Sequence, residues 1–129
     1  MDANTLNGYQ EAALRTAKTF PETTFSSEQM DLIHAAFGVA SDAGELVDAI
    51  KKNLIYGKPL DKKNVVEEIG DVMWFLVLCC RAIDEDLDYI AQMNIAKLML
   101  RYPEKYSDEA AIARADKVAD TLPDDYEVN

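Results

Sequence analysis

Two pairs of acidic residues stand out because they share one spacing and both lie in apolar segments. Asp42 precedes Glu45 by three residues, and Glu68 precedes Asp71 by three. On an α-helix this spacing places two carboxylates on one face, about 60° apart and one turn along the axis. Magnesium binds a few such carboxylates together with the phosphates of a substrate. We therefore predict that the four carboxylates bind divalent metal.

The helix face that carries the first pair is polar and contains small residues. A ligand groove has this composition, although a solvated outer face has the same pattern. His34 precedes Glu45 by roughly 16 Å at about 1.5 Å per residue, so the two cannot share an ion. We expect His34 to meet the distant end of a ligand. The stripe consists of His34, Gly38, Ser41, Asp42, Glu45 and Lys52.

A third group of polar residues lies near residue 100. Asn94, Lys97 and Arg101 follow one another at steps of three and four residues, which places an amide and two cations on one helix face. Alone they would be surface charges, but acids with cations nearby are typical of a metal–phosphate site. One histidine and two adjacent cysteines cannot form a structural zinc site, and the chain has no Gly-Lys-Ser/Thr phosphate loop.

Helical periodicity predicts an all-α fold, an antiparallel bundle of four to five helices. Pro21 ends the first helix, Ser26 with Gln29 forms a capping box for the second, and residues 56–59 separate the second from the third. No segment shows the alternation of a strand. Helices two and three should lie side by side, with 72–80 central in the domain or buried between subunits. The predicted helices are 4–20, 27–53, 61–83, 87–100 and 107–120; the predicted core face of the second is Ile33, Ala36, Phe37, Ala40, Val47 and Ile50.

Length and charge limit the function. We predict a single domain over residues 1–129, with its motifs in about 27–103 and a frayed tail at 122–129. The formal charge of −11 argues against binding long nucleic acid, which requires a basic surface. No apolar run is long enough to cross a bilayer, and the first residues lack the features of a secretory signal, so we expect a cytoplasmic protein without membrane contact.

The motifs that carry these residues resemble the MazG-like family of all-α nucleoside triphosphate pyrophosphohydrolases. They are ASDAGEL (40–46), EEIGDV (67–72) and NIAKL (94–98) continued by RYP (101–103). The family pattern of two acids three apart, a spacer, then Glu and Asp three apart is matched between about 34 and 103. Asp42 departs from it, because the family usually has Glu there, and the shorter side chain would shift or weaken one metal contact.

The resemblance implies hydrolysis of a nucleoside triphosphate to the monophosphate and pyrophosphate. It implies Mg²⁺, with Mn²⁺ as a substitute, and a homodimer or homotetramer. The apolar run around Trp74 is a reasonable place for the subunits to meet. The metal ligands would be Asp42, Glu45, Glu68 and Asp71, of which Glu45, Glu68 and Asp71 would be catalytic. The substrate would be contacted by His34, Lys52, Asn94, Lys97, Arg101 and Tyr102.

Two alternatives remain. The chain could be a non-catalytic helical oligomerisation or interaction protein, whose acids are only a solvated face. It could also keep the site and act on another substrate, as the related phosphoribosyl-ATP pyrophosphohydrolases do.

Overall fold

The computed structural model describes residues 4–118, which contain six helices and no strand. The predicted all-α class is therefore confirmed. The helices are α1 (Leu6–Leu14), α2 (Ser27–Leu54), α3 (Lys62–Ala82), α4 (Leu87–Arg101), α5 (Asp108–Ala113) and α6 (Ala115–Val118). The predicted frayed tail at 122–129 lies outside the described residues.

Side-chain caps set the beginnings of α2 and α3. The predicted capping box is confirmed, because the Ser26 hydroxyl accepts from the Gln29 amide and the Gln29 side chain accepts from the Ser26 amide. Asp61 caps α3 by accepting from the Asn64 amide at 3.1 Å. Gly57, at φ +65°, lies in the turn between the two helices. As predicted, α2 and α3 pack side by side.

The face of α2 that packs on α3 is not the predicted apolar one. Phe37 and Val47 of the predicted core face are 73% and 63% exposed, and the buried residues of α2 include Ala35, Gly38 and Ala49. A Cβ added to Gly38 would overlap the ring of Phe75. Small side chains let the two helices approach closely, which explains why this face, and not the apolar stripe, is covered within the chain.

The first helix is shorter than predicted. It ends at Leu14, whereas the apolar spacing continued to Phe20. The indole N–H of Trp74, on α3, donates to the Ala13 carbonyl at 3.2 Å and to the Thr16 hydroxyl at 2.8 Å. The hydroxyl of Thr16 also donates to the Ala13 carbonyl. These bonds use a carbonyl that a longer helix would pair with its own backbone.

The most buried part of the chain is the second half of α3. Val77, Leu78 and Cys80 are buried there, within the apolar run 72–80. Asp31 of α2 is also buried and accepts two hydrogen bonds from Arg81, at 2.7 and 2.8 Å. This ion pair satisfies a carboxylate that would be costly to bury alone.

The chain divides into two compact units between Leu87 and Asp88. The second unit contains most of α4 together with α5 and α6. A single helix was predicted over 107–120, but Arg114 has left-handed backbone angles, φ 51° and ψ 48°, which end α5 and separate it from α6. That the whole chain acts as one domain stays a prediction.

Candidate functional site

The two acidic pairs lie on the neighbouring helices α2 and α3. The pKa of Glu68 is raised, first by burial and then by the negative charges of Glu45, Asp71, Asp42 and Glu67, in that order. A charge affects a pKa in this way only when it lies nearby. The other three predicted acids therefore lie near enough to Glu68 to disfavour its ionisation.

The acids are close but do not converge to ligand distances. Among residues 4–118, no three His, Cys, Asp or Glu side chains are arranged so that they could hold one ion. Like charges oppose closer approach, which is also why ionisation of Glu68 is disfavoured. The metal site therefore stays a prediction.

Tyr9 lies beside the second acidic pair, which the sequence did not indicate. Its hydroxyl donates to the Gly70 carbonyl at the long distance of 3.5 Å. Its pKa is raised by burial and, to a lesser degree, by the charge of Asp71. An aromatic residue on the apolar stripe of α1 gives no signal of this kind, because its position depends on how α1 packs on α3.

A cavity of about 410 Å³ lies at the loop that joins α2 and α3. Ala49 follows Glu45 by four residues and Asn64 precedes Glu68 by four, so the cavity begins one helical turn from the acids on both helices. The sequence pointed to Lys52 but not to Lys58 or Asn64. The cavity is lined by Ala49, Lys52, Lys58, Pro59, Asp61 and Asn64.

Lys52 is paired with Asp48 on its own helix. Its ammonium lies 2.6 Å from the Asp48 carboxylate, which also binds Lys51 at 3.1 Å. The pKa of Lys52 is raised, first by its hydrogen bond to Asp48 and further by the charges of Glu45 and Asp61. A ligand that contacts Lys52 would therefore share it with Asp48.

His34 lies in a cluster of aromatic rings. Its ring contacts those of Phe20, Trp74 and Phe75 edge to face, with centroids 5.3–6.0 Å apart. Such contacts stabilise packing and hold the ring in place. The expected contact between His34 and a ligand is not tested by this packing and stays a prediction.

The other residues that the sequence predicts to contact the substrate lie in the second unit. Asn94 is exposed and Lys97 is half-buried on α4. Arg101 donates from Nε and Nη2 to the two oxygens of Asp116, both at 2.7 Å. Tyr102 lies beside Arg101, and the guanidinium carbon of Arg101 is 5.9 Å from the centroid of the Tyr102 ring. Asp116 was not indicated by the sequence.

An all-α fold with paired acids on two adjacent helices agrees with the class that the motifs resemble, the helical nucleotide pyrophosphohydrolases. Residues 35–106 match the family model described as the MazG nucleotide pyrophosphohydrolase domain, which is more than half of the chain. The chain therefore belongs to this family, and the resemblance in its motifs is confirmed.

The chain is also similar to a curated phage protein. The chain is 30% identical to the Gene 37 protein of Mycobacterium phage L5 in an alignment of 102 residues that covers 72% of this chain and 84% of that protein. No solved structure matches the chain. Within residues 4–118, no helix is both long enough and apolar enough to span a membrane.

Proposed function

We propose that the protein is a Mg²⁺-dependent nucleoside triphosphate pyrophosphohydrolase. Water would attack the α-phosphorus, the bond from that phosphorus to the bridging oxygen would break, and pyrophosphate would leave from the monophosphate. The observation that carries the proposal is Glu68, whose carboxyl lies among carboxylates from both α2 and α3 in a chain of the MazG family.

The donor set fits a hard divalent cation. Asp42, Glu45, Glu68 and Asp71 supply only oxygen, and their mutual repulsion, seen in the raised pKa of Glu68, is of the kind that a cation relieves. Mg²⁺ is the ion we expect, and Mn²⁺ would be accepted in its place. When bound, the ion would neutralise phosphate charge and make the attacking water more acidic.

The chain's own side chains would complete the reaction. A carboxylate that is not fully used as a ligand, Asp42 or Glu45, would accept the proton of the attacking water. Lys97 and Arg101 would offset the charge of the leaving pyrophosphate. Asn94 and Tyr102 would contact phosphate or sugar, as would Lys52, while His34 would meet the distant end of the substrate. The cavity of about 410 Å³ beside Lys52 has room for part of the nucleotide.

A second copy of the chain is the expected protein partner. Phe37, Val47 and Leu54 form an apolar stripe along α2 that is 73%, 63% and 74% exposed. Contact between two such stripes would remove them from water in a homodimer or homotetramer. The formal charge of −11 disfavours long nucleic acid as a partner, and we expect the protein in the cytoplasm.

The test is a panel of canonical and damaged nucleoside triphosphates, with phosphoribosyl-ATP included, assayed with Mg²⁺ for released pyrophosphate. Glu68→Gln or Asp71→Asn should lower turnover about 100-fold or more, since metal catalysis contributes several kcal/mol to a rate. Far-ultraviolet circular dichroism should show an unchanged helix content in both variants.

The matched control is Glu67→Gln, which removes the neighbouring carboxylate of the same helix. Glu67 is exposed and lies 3.9 Å from Lys63, and its variant should keep wild-type turnover. If no compound in the panel yields pyrophosphate, and Mg²⁺ leaves the melting temperature unchanged, the enzyme proposal is wrong. Release from phosphoribosyl-ATP alone would instead identify the related enzyme of that substrate.

A further inference from the structure

The ion pair between Arg101 and Asp116 is the most enclosed one among residues 88–118. Asp116 lies in α6, and its side chain is fully buried, while that of Arg101 is 18% exposed. Both carboxylate oxygens accept from the guanidinium, one from Nε and one from Nη2. The pKa of Asp116 is lowered to about 2, first by the hydrogen bond from Arg101. The carboxylate therefore remains charged and paired at neutral pH.

Asp116 binds one edge of the guanidinium, and a side-chain hydrogen bond with Tyr102 also raises the pKa of Arg101. An arginine head carries five N–H groups in a plane, and the Nε–Nη2 edge is the one bonded to Asp116. The Nη1–Nη2 edge forms a second fork, with the spacing that two oxygens of one phosphate require. An arginine held by a carboxylate on its side edge can therefore bind a phosphate on its end edge.

Binding through a fixed side chain is stronger than binding through a mobile one. A free arginine loses rotamer entropy when it is ordered, and a bidentate carboxylate has already imposed that order. The ring of Tyr102, 5.9 Å from the guanidinium carbon, limits its position on another side.

We propose that Asp116 is a positioning residue, which holds Arg101 so that the Nη1–Nη2 edge is presented to a phosphate group of the substrate. The inference rests on the proposed function, in which Arg101 contacts the leaving pyrophosphate. It assigns a role in substrate recognition to α6, which lies outside the matched range 35–106.

The sign of the effect of Asp116→Asn separates positioning from simple electrostatics. Removing a negative charge next to Arg101 should, by Coulomb's law alone, strengthen the binding of a polyanionic substrate. Loss of positioning should weaken it. We expect KM for the nucleoside triphosphate to rise about tenfold, because small misplacements of a substrate-binding group cost one to two orders of magnitude.

The matched control is Asp108→Asn in the same unit. Asp108 accepts a hydrogen bond from the Tyr106 hydroxyl at 2.7 Å and is not among the residues assigned to the proposed site. Its variant should keep the wild-type KM. An unchanged or lowered KM in Asp116→Asn would overturn the inference.

A double-mutant cycle then distinguishes positioning from general support of the fold. In an Arg101→Ala background, Asp116→Asn should cause little further loss of kcat/KM, because Arg101 binds the carboxylate twice at 2.7 Å whereas Arg114 lies 3.8 Å away. A further loss of similar size would mean that Asp116 acts only on the fold, and would also overturn the inference.

Removing one partner of a buried ion pair can unfold a region, so melting curves must accompany the kinetics. If Asp116→Asn melts below the assay temperature, Asp116→Glu replaces it, since it keeps the charge but moves the guanidinium by one methylene. An unchanged KM in that variant would count against positioning. A wild type that releases no pyrophosphate overturns the proposed function itself, whereas an active wild type with an insensitive KM overturns only the role of Asp116.

Discussion

The carboxyl of Glu68 ionises less readily than that of an ordinary glutamate, because burial and four neighbouring carboxylates oppose its charge. A pKa that is raised on folding means that the folded state binds the proton more tightly than the unfolded state. The ionised form of Glu68 therefore destabilises the fold at neutral pH. A bound cation would make the same carboxylate favourable, so its cost to stability and its proposed use in catalysis would have one origin.

Glu68→Gln should raise the melting temperature of the metal-free protein at pH 7. The free-energy cost of ionised Glu68 to the folded state is complete above the raised pKa of the folded state and disappears below the ordinary pKa of 4.5. The difference in melting temperature between Glu68→Gln and wild type should therefore vanish as the pH falls through that range. Melting curves of both proteins in a chelating buffer from pH 4 to pH 8 measure this difference in melting temperature. Glu67→Gln is the control, and equal shifts in both variants would contradict the role of clustering.

Lys97→Ala should weaken substrate binding as well as turnover. An ammonium that meets phosphate loses a charge-assisted contact on truncation, and we expect kcat/KM to fall about tenfold. Lys105→Ala, which removes an exposed lysine from the same unit, is the control. Steady-state kinetics with the best substrate of the panel decide the matter, and wild-type values for Lys97→Ala would remove this residue from the proposed site.

At the scale of the helices, the contact between α2 and α3 depends on a glycine. Gly38 lies against Phe75 so closely that no side chain fits between them. Gly44, two turns further along α2, has open space where its Cβ would be. The two glycines therefore differ in function although they share a helix.

Gly38→Ala should destabilise the protein by about 1–3 kcal/mol, because the methyl group would force Phe75 out of place. Gly44→Ala should be neutral or stabilise by up to about 1 kcal/mol, since alanine is the better helix former. Urea denaturation of both variants provides the comparison. Equal effects of the two substitutions would mean that the close approach at Gly38 is not required.

The helix boundaries could be predicted where they depend on local signals. Ser26 and Asp61 begin α2 and α3 as their side chains indicated, since a cap involves residues only three positions apart. The end of α1 could not be predicted, because it depends on Trp74, some 60 residues away in the chain. The periodicity of the sequence also identified the apolar stripe of α2. It did not indicate that a different face of this helix would pack on α3.

The candidate site was predictable to a similar extent. The spacing of Asp42 with Glu45 and of Glu68 with Asp71 was visible because each pair lies on one helix. Asp116 was not, since its pairing with Arg101 requires α5 to end at a left-handed Arg114. Contacts that depend on how a chain turns back have no short-range signature.

At the scale of the molecule, a formal charge of −11 coexists with extended apolar surface on α2. The charge favours solubility, while the exposed Phe37, Val47 and Leu54 favour association with a second apolar surface. A homo-oligomer would reconcile the two features, because it covers the stripe and leaves the acids in water.

Sedimentation velocity should show a dimer or tetramer whose mass falls toward that of one chain in Val47→Asp. A charge placed within an apolar interface is costly to bury, and association should weaken by at least about tenfold. The control is Ile112→Asp, which places the same charge at an exposed position of the second unit and should leave the sedimenting mass unchanged. A wild type that sediments as a single chain at all concentrations would contradict the proposed partner.

The hydrogen bonds of Trp74 also make the protein convenient to observe. The chain has one tryptophan, half-buried on α3 and bonded through its indole to the segment that follows α1. Its fluorescence therefore reports on the first unit, whereas circular dichroism at 222 nm averages over all helices. Unfolding curves from the two signals should coincide if both units melt in one cooperative step, and should separate if the second unit unfolds earlier.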